Sequence, residues 1–551
     1  MKIKRTLLSL MLLSMTPAVF AQENNVPYGY IVRQIEFKIT DMYKYGRFDG
    51  GMGTARSAAM AGAFTSLGAD LSSMSINPAG LGMYRSSEFG VTASLLQTGV
   101  ENTLPGFPVG SETMTSSNRT SVGLNNMGFA FNIIEGTGVL TSFTMGFGYN
   151  KLADYNYRSR VALNGSNNTI LDMFAQSVMD FTADVGHDGL TGNNPWRHPD
   201  NGGAFFYEWG AILAYNTNLI ERVGATDDYR VIPELDQSGM GISQYANTGS
   251  RGSAGEYTFA GGWNFMNQFY LGFSLGIVNS LHVRDVSYQD RYTNTAQIRG
   301  MVYDQRLRTN ADGYNFKLGM VIRPVQELRI GLAVHSPTMM TVRTRYSSIM
   351  RSTSATGAAL STARSPDREF EERFITPTRL LAGASYIIAD RAVLAVDYER
   401  TWYNGMRVFG PLYDRADEDF YREDVRENLR PANTVRAGLE VMAVEGIMLR
   451  AGASYVREGL RDEFFWSRDR PGMRLFDMPT ERTTLTVSAG LGYRISRASS
   501  LDLTYVFGKT DFTVYDLYYY HDGFTDTTFY VGHLDRMRQR HNIMLAYNYR
   551  F

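Results

Sequence analysis

The 551 residues include 54 Gly, 34 Tyr and 31 Phe but no Cys, and 54 basic residues stand against 55 acidic ones for a formal charge of −1. Without thiols there are no disulfides, thiolate metal centres or thiol nucleophiles, and the balanced charge lacks the concentrated basic footprint of a nucleic-acid binder. Beyond the first residues no apolar run reaches the ~18 residues of a membrane helix, so any membrane crossing must use strands.

The chain starts with Lys2, Lys4 and Arg5, continues through an apolar stretch from Leu7 to Phe20, and reaches Val19-Phe20-Ala21, a small-x-small cleavage pattern. Residues 1–21 read as a secretory signal peptide cut after Ala21. Its removal takes three basic and no acidic residues, leaving 51 against 55 and a formal charge of −4.

Residues 22–85 read as a plug, or hatch, rather than wall. Between Gly50 and Gly82 the small residues Ala58, Ala59, Ala61, Gly62 and Ala63 suit close backbone contact. Asn77-Pro78-Ala79-Gly80 is a turn whose Pro cannot donate to a sheet ladder.

From residue 86 the pattern changes to alternation. At the C-terminus Ile543, Leu545, Tyr547, Tyr549 and Phe551 share one face, and Asn542, Met544, Ala546, Asn548 and Arg550 the other. Such runs predict fourteen strands, at 86–99, 121–134, 139–154, 253–264, 268–286, 308–323, 327–345, 373–388, 391–404, 431–443, 446–457, 481–495, 499–510 and 539–551. Tight turns at 135–138, 265–267, 324–326, 389–390, 444–445 and 496–498 alternate with long polar connections. The expectation is an all-β, fourteen-stranded antiparallel transmembrane β-barrel in a Gram-negative outer membrane. Short turns and both chain ends would be periplasmic, long loops extracellular, and the hatch would enter the lumen from the turn end. The terminal Phe after alternating aromatics resembles the signal read by the barrel assembly machinery. A soluble β-sandwich is the rival, since its strands also alternate.

The connection at about 155–252 is long enough to carry structure of its own. Leu171, Phe174, Ala175, Val178 and Phe181 recur at helical spacing, as do Phe205, Phe206, Trp209, Ile212 and Leu213, predicting two amphipathic helices over the mouth. Their apolar faces either pack on each other or offer a hydrophobic ligand a groove built on Phe174, Phe181, Phe205, Phe206, Trp209 and Leu213.

With the plug, Gly53-Thr54-Ala55-Arg56-Ser57, Asp70 and Asn77-Pro78-Ala79-Gly80-Leu81 before the first strand, the chain resembles the FadL/TodX family of outer-membrane transporters. Gly313 to Gly319, Val396-Asp397-Tyr398-Glu399 and Arg436 to Glu440 look most like its Bacteroidetes branch. The resemblance implies passive uptake of hydrophobic compounds, long-chain fatty acids or aromatic hydrocarbons, through an outer groove, a lumenal pocket and a hatch rearrangement, with sideways release in some members. It assigns gating to Gly53, Gly62, Asp70, Asn77, Pro78 and Ala79, with 77–79 as the hinge to strand one. A carboxylate head group would want a lumenal cation, for which Lys317, Arg329 and Arg436 are candidates beside Arg323 and Arg494.

Among rivals, a TonB-driven receptor needs a far longer plug and more strands. A rim enzyme would have to use His521-Asp522, a pair without a nucleophile at defined spacing, and His187 with His198 is a weak metal pair. A polar porin has the hatch against it, whereas a receptor or adhesin could use the charged loop from Asp414 to Arg430. The expectation is a monomeric non-enzyme without metal or cofactor, whose partners are outer-membrane lipid and a hydrophobic small molecule.

Overall fold

Alternation along the chain becomes a closed antiparallel barrel in the computed structural model, which describes residues 39–47, 53–103, 112–113, 115–166, 169–176, 178–179, 209–224, 228–235, 241–293, 295, 297–410, 415–461, 472–474, 478–479, 483–515, 519–522, 527–530 and 534–551. The first seven strands are β1 (Glu88–Thr103), β2 (Thr115–Glu135), β3 (Leu140–Asp154), β4 (Ile242–Phe265), β5 (Phe269–Arg291), β6 (Gly300–Ile322) and β7 (Leu328–His335 continued by Met339–Thr353). The second seven are β8 (Arg368–Ile375 and Arg379–Ile388), β9 (Ala392–Thr401), β10 (Ala432–Val444), β11 (Ile447–Arg457), β12 (Thr483–Arg494), β13 (Ser499–Tyr515) and β14 (Leu534–Arg550). Each pairs with the next, and β14 returns to β1 in a ladder from Glu88↔Arg550 to Thr103↔Asp535. All fourteen expected runs fall on these strands.

The outward face separates a membrane barrel from a sandwich. Tyr314, Phe316 and Leu318 on β6 are 66%, 52% and 54% exposed, while Lys317 between them is buried inside. A sandwich would bury those apolar side chains; here they face lipid. On β14 the expected outward residues Ile543, Leu545, Tyr547 and Tyr549 are likewise exposed, with Met544 and Ala546 buried behind them.

Several strands run further toward the long-loop end than alternation indicated, β4 starting at Ile242 and β6 at Gly300. Along β5 the exposed residues Leu271, Leu275, Ile277 and Leu281 give way to Asp285, which pairs with Arg251 and Arg306. Past the lipid boundary the ladder continues but no longer needs an apolar outer face, so the sequence signal fades there. At the other end the tight turns appear as expected. Met266, Asn267, Ala389 and Asp390 take φ of 54°, 57°, 51° and 54°, matching the twist of two-residue hairpins.

Inside the barrel lie helices α1 (Ile39–Gly46), α2 (Ala55–Ala59) and α3 (Ser73–Ile76), then a 3-10 turn, Pro78–Met83, that leads into β1. The hatch was expected to enter from the turn end, yet α1 sits on its long-loop side. There Met42, Tyr43 and Tyr45 pack with Tyr155, Val278, Val342 and Phe374 from the inner wall. The described segments thus pass from the long-loop end of the lumen through the hatch to the wall.

Over the mouth, β3 is continued by Tyr157–Ser166, which pairs with the outer half of β4 from Tyr157↔Ser250 to Ser166↔Ile242. A helix over 170–176, here α4, and α5 (Trp209–Asn216) pack onto this extension. A third loop element, α6 (Arg415–Asn428), occupies the charged stretch expected to be loop. Its Val425 is buried, and Leu429 just beyond joins it in the same cluster as α1, which is why that stretch is helical rather than simply solvated.

Candidate functional site

The hatch is seated by shape. Hatch residues large and small, from Met60, Leu71 and Met74 to Pro78, Ala79 and Gly82, meet glycines on most strands, many of them directly paired across the ladder: Gly90↔Gly128 and Gly128↔Gly148, Gly262↔Gly272 and Gly272↔Gly319, Gly331↔Gly383, and Gly438↔Gly452. A Cβ on Gly262 would lie 2.5 Å from the Gly82 nitrogen, on Gly438 2.7 Å from the Met60 Cβ, and on Gly490 2.5 Å from the Ala59 Cβ. On Gly272 and Gly319 it would collide with Pro78, Ala79 and Asn77. Glycine is thus required where hatch backbone touches wall backbone. Finding this belt needs the register, so the sequence shows its glycines without their alignment.

Polar bonds complete the seal. Thr54 caps α2, its Oγ1 accepting from Ser57 N at 3.1 Å and donating to Asp70 Oδ1 at 2.8 Å. The same Asp70 oxygen accepts from Ser72 N at 2.9 Å, so Asp70 ties two hatch segments together. Arg56 grips Glu440 through Nε at 2.9 Å and NH2 at 2.8 Å. Glu440 is shared with Arg450, which reaches Asp502, and Asn548 closes that chain at 3.0 Å. Thr65 N donates to Asp397 at 2.8 Å, and Ser75 Oγ to Glu256 at 3.0 Å.

The residues with expected gating roles are all anchored or buried in this seal. Gly53 and Gly62 take φ of 107° and 78°, in the left-handed region that favours glycine. The Asn77 amide donates to Thr65 O at 2.7 Å and, at longer range, to Met320 O on β6 and Leu332 O on β7; its Oδ1 accepts from Ala79 N. Pro78 and Ala79 are buried against β5. The turn expected as a hinge is bonded to the wall at β6 and β7 in this structure. Of the head-group candidates, Lys317 pairs with Glu256 and Arg436 with Glu399, so both cations are already neutralised. Arg329 meets Met83 Sδ instead.

The expected groove is not open where its residues are described. Phe174, Trp209 and Leu213 are buried in one core with Tyr288, Tyr303 and Tyr346 of the wall extension. Trp209 and Tyr346 stand 5.3 Å apart, and Phe174 meets Tyr303 edge-on at 5.5 Å. Amphipathic spacing here reports packing, because the wall extension that covers these faces lay outside the expected strands. Phe181, Phe205, Phe206, His187 and His198 lie outside the described residues.

An opening does occur in the wall. β2 and β3 pair from Glu135↔Ser142 to Asn126↔Asn150, and the ladder stops there. Toward the loop end β2 stays with β1, which skips Asn125 in a bulge at Thr92/Ala93. β3 stays with β4 through a bulge at Lys151/Ala153. The two edges meet again where Ser117 Oγ donates to Arg158 O at 2.6 Å. Between lies a cleft of about 690 Å³ lined by Val122, Leu124, Met127, Phe129, Phe147, Tyr149, Tyr257 and Leu281. It also reaches Gly128, whose inner side meets Met74 of the hatch. Lys151 and Asp154 are the charged residues of its lining, ion-paired at 2.5 Å. The sequence reading missed this pair, although Lys151 shares the parity of Phe147 and Tyr149, an unusual place for a cation on a lipid-facing strand.

No family model and no curated protein matches the chain. Solved structures do: the toluene transporter TodX of Pseudomonas putida, 12% identical with a TM-score of 0.49, covers 91% of this chain and 99% of its own. A FadL homologue of Pseudomonas aeruginosa is 11% identical with a TM-score of 0.49, over 91% and 99%. The toluene transporter TbuX of Ralstonia pickettii is 13% identical with a TM-score of 0.44, again over 91% and 99%. In the course of its backbone the chain resembles these transporters of the FadL and TodX type.

Proposed function

We propose that the chain is an outer-membrane protein through which hydrophobic compounds cross passively, with the short turns in the periplasm and the long loops outside. The observation that carries this reading is an apolar cleft in the wall, where the β2–β3 ladder is interrupted, beside a lumen closed by the hatch. A barrel of this kind has no built-in energy source, so a solute moves down its gradient or triggers a rearrangement. Burial of each methylene contributes about 0.8 kcal/mol, so a ten-carbon stretch supplies about 8 kcal/mol before ordering costs. The cleft opens toward lipid and the hatch lies behind Gly128, so the route joins membrane and lumen sideways. The seated hatch counts against a polar porin, which would need an open lumen.

The test is native mass spectrometry of the protein purified from membranes and washed in short-chain detergent. Retained apolar or amphiphilic molecules are expected. An empty protein with steady single-channel conductance to small ions would overturn the reading in favour of a polar pore.

A further inference from the structure

One buried ion pair stands in a cleft whose lining is otherwise mostly apolar, with Ser121, Asn156, Ser253 and Asn279 as its other polar side chains. Lys151 is 7% exposed and Asp154 2%. Lys151 pairs in register with Gly255, Gly255 with Asn279, and Asn279 donates to Asp312 at 2.7 Å. The next outward row toward the membrane centre carries Tyr149, Tyr257 and Tyr314. Tyrosine rows mark the boundary between head groups and acyl chains, and Lys151 sits one row to the loop side of this one, with Met127, Phe129 and Phe147 on its membrane-centre side.

The two partners are not held alike. Asp154 Oδ1 accepts from Asn156 N at 2.8 Å and its carbonyl accepts from Arg540 at 2.9 Å. Lys151 has Asp154 as its one partner among the described residues, and its ammonium lies 3.5 Å from the Cβ position that Gly123 leaves empty. The lysine is therefore the movable half, on a flexible stem that spans the unpaired seam.

Resting on the lateral route proposed above, we propose that Lys151 reads the head group of the ligand at this cleft and that Asp154 is its latch. The ligand class that follows is a single-tailed amphiphile with an anionic head, carboxylate or phosphate. Its head replaces Asp154 at the ammonium while its tail lies along Met127, Phe129 and Phe147. A neutral compound offers the ammonium no replacement charge, so opening the pair for it costs more than for an anion.

The test measures binding of palmitic acid, palmityl phosphate and palmityl alcohol to the full chain in detergent, with heat-modifiable gel mobility confirming a folded barrel for every variant. The wild type is expected to bind the acid roughly tenfold or more tighter than the alcohol, as a charge-assisted bond provides. Lys151→Met should abolish the acid's advantage over the alcohol, while Lys151→Arg keeps it. Asp154→Asn should tighten both anions. A stronger phosphate arm identifies a lipid phosphate as the natural head, and a stronger acid arm a free carboxylate. Equal acid and alcohol binding by the wild type, or an unchanged preference in Lys151→Met, overturns the inference and leaves the lateral route standing. Failure of all three compounds to bind the wild type overturns both.

Discussion

The hatch and the cap at the long-loop end both fill the barrel, by different means. The cap is a side-chain core in which Phe174, Trp209 and Leu213 are buried among wall tyrosines. The hatch also buries apolar side chains, among them Phe64, Leu71 and Met74, but much of its seat is backbone set against wall glycines and joined to the wall by ion pairs and hydrogen bonds. An apolar core gains from excluding water, so opening it costs the full transfer free energy. A polar, small-residue contact can exchange its bonds for water or for a ligand's groups at lower net cost. On that difference the hatch is expected to open at lower cost than the cap.

The largest expected effect breaks the comparison outright. Deleting residues 50–77 should open the barrel to small polar solutes, seen as a large rise in single-channel conductance. Filling the belt should act similarly without deletion. Gly272→Leu combined with Gly319→Leu puts side chains where Pro78, Ala79 and Asn77 lie, and the hatch should become protease-sensitive while the barrel still assembles. A closed, protected hatch in that double variant would show that the belt is not what seats it.

The cap should fail separately. Trp209→Asp places a carboxylate in a site that is 4% exposed, at a cost of about 4 kcal/mol or more. Limited proteolysis should cut the cap while conductance stays closed. Ligand binding should also be unaffected, since Trp209 packs against Tyr346 and lines no open groove among the described residues. Lost binding with an intact cap would restore the groove.

These outcomes also mark what the sequence could convey. Alternation and turn lengths located fourteen strands, because a lipid-facing wall must keep a period of two. The small residues near 58–63 and the Asn77-Pro78 turn revealed the hatch by failing to alternate. Contacts between distant strands were not legible: the belt requires knowing that Gly272 stands beside both Gly262 and Gly319. Helical spacing in the cap was legible, but whether an apolar face is covered depends on wall extensions whose outer side is polar. The β2–β3 interruption left one trace, a lysine on the lipid-facing parity at position 151.

A smaller effect sharpens the account of how the hatch is held. Arg56→Ala removes the bidentate grip on Glu440 but leaves Arg450 beside that carboxylate. The loss should fall near the low end of the ~3–5 kcal/mol typical of broken buried pairs. Hydrogen exchange is expected to rise across residues 55–83 and to stay unchanged in the cap. Equal exchange in both regions would mean that they open together.

The smallest effect distinguishes the two regions by pH. Asp290 lies in the cap's polar edge, beyond the lipid boundary, where Thr169, Gln244 and Tyr292 donate to its carboxylate. Burial pushes its carboxyl up to about 6 from the usual 3.8, with the Asp172 carboxylate adding to the rise. Below about pH 4 the folded and opened cap both hold the proton. As pH rises, the opened cap releases it first, so Asp290 makes the closed cap less favourable up to about pH 6 and adds no further slope above that. The change amounts to about 3 kcal/mol at most. Cap proteolysis should accelerate from pH 4 to pH 6 in the wild type, and Asp290→Asn should flatten that profile while hatch exchange stays the same. A pH profile that survives Asp290→Asn would assign the dependence to another group and remove Asp290 from the account of how the cap is held.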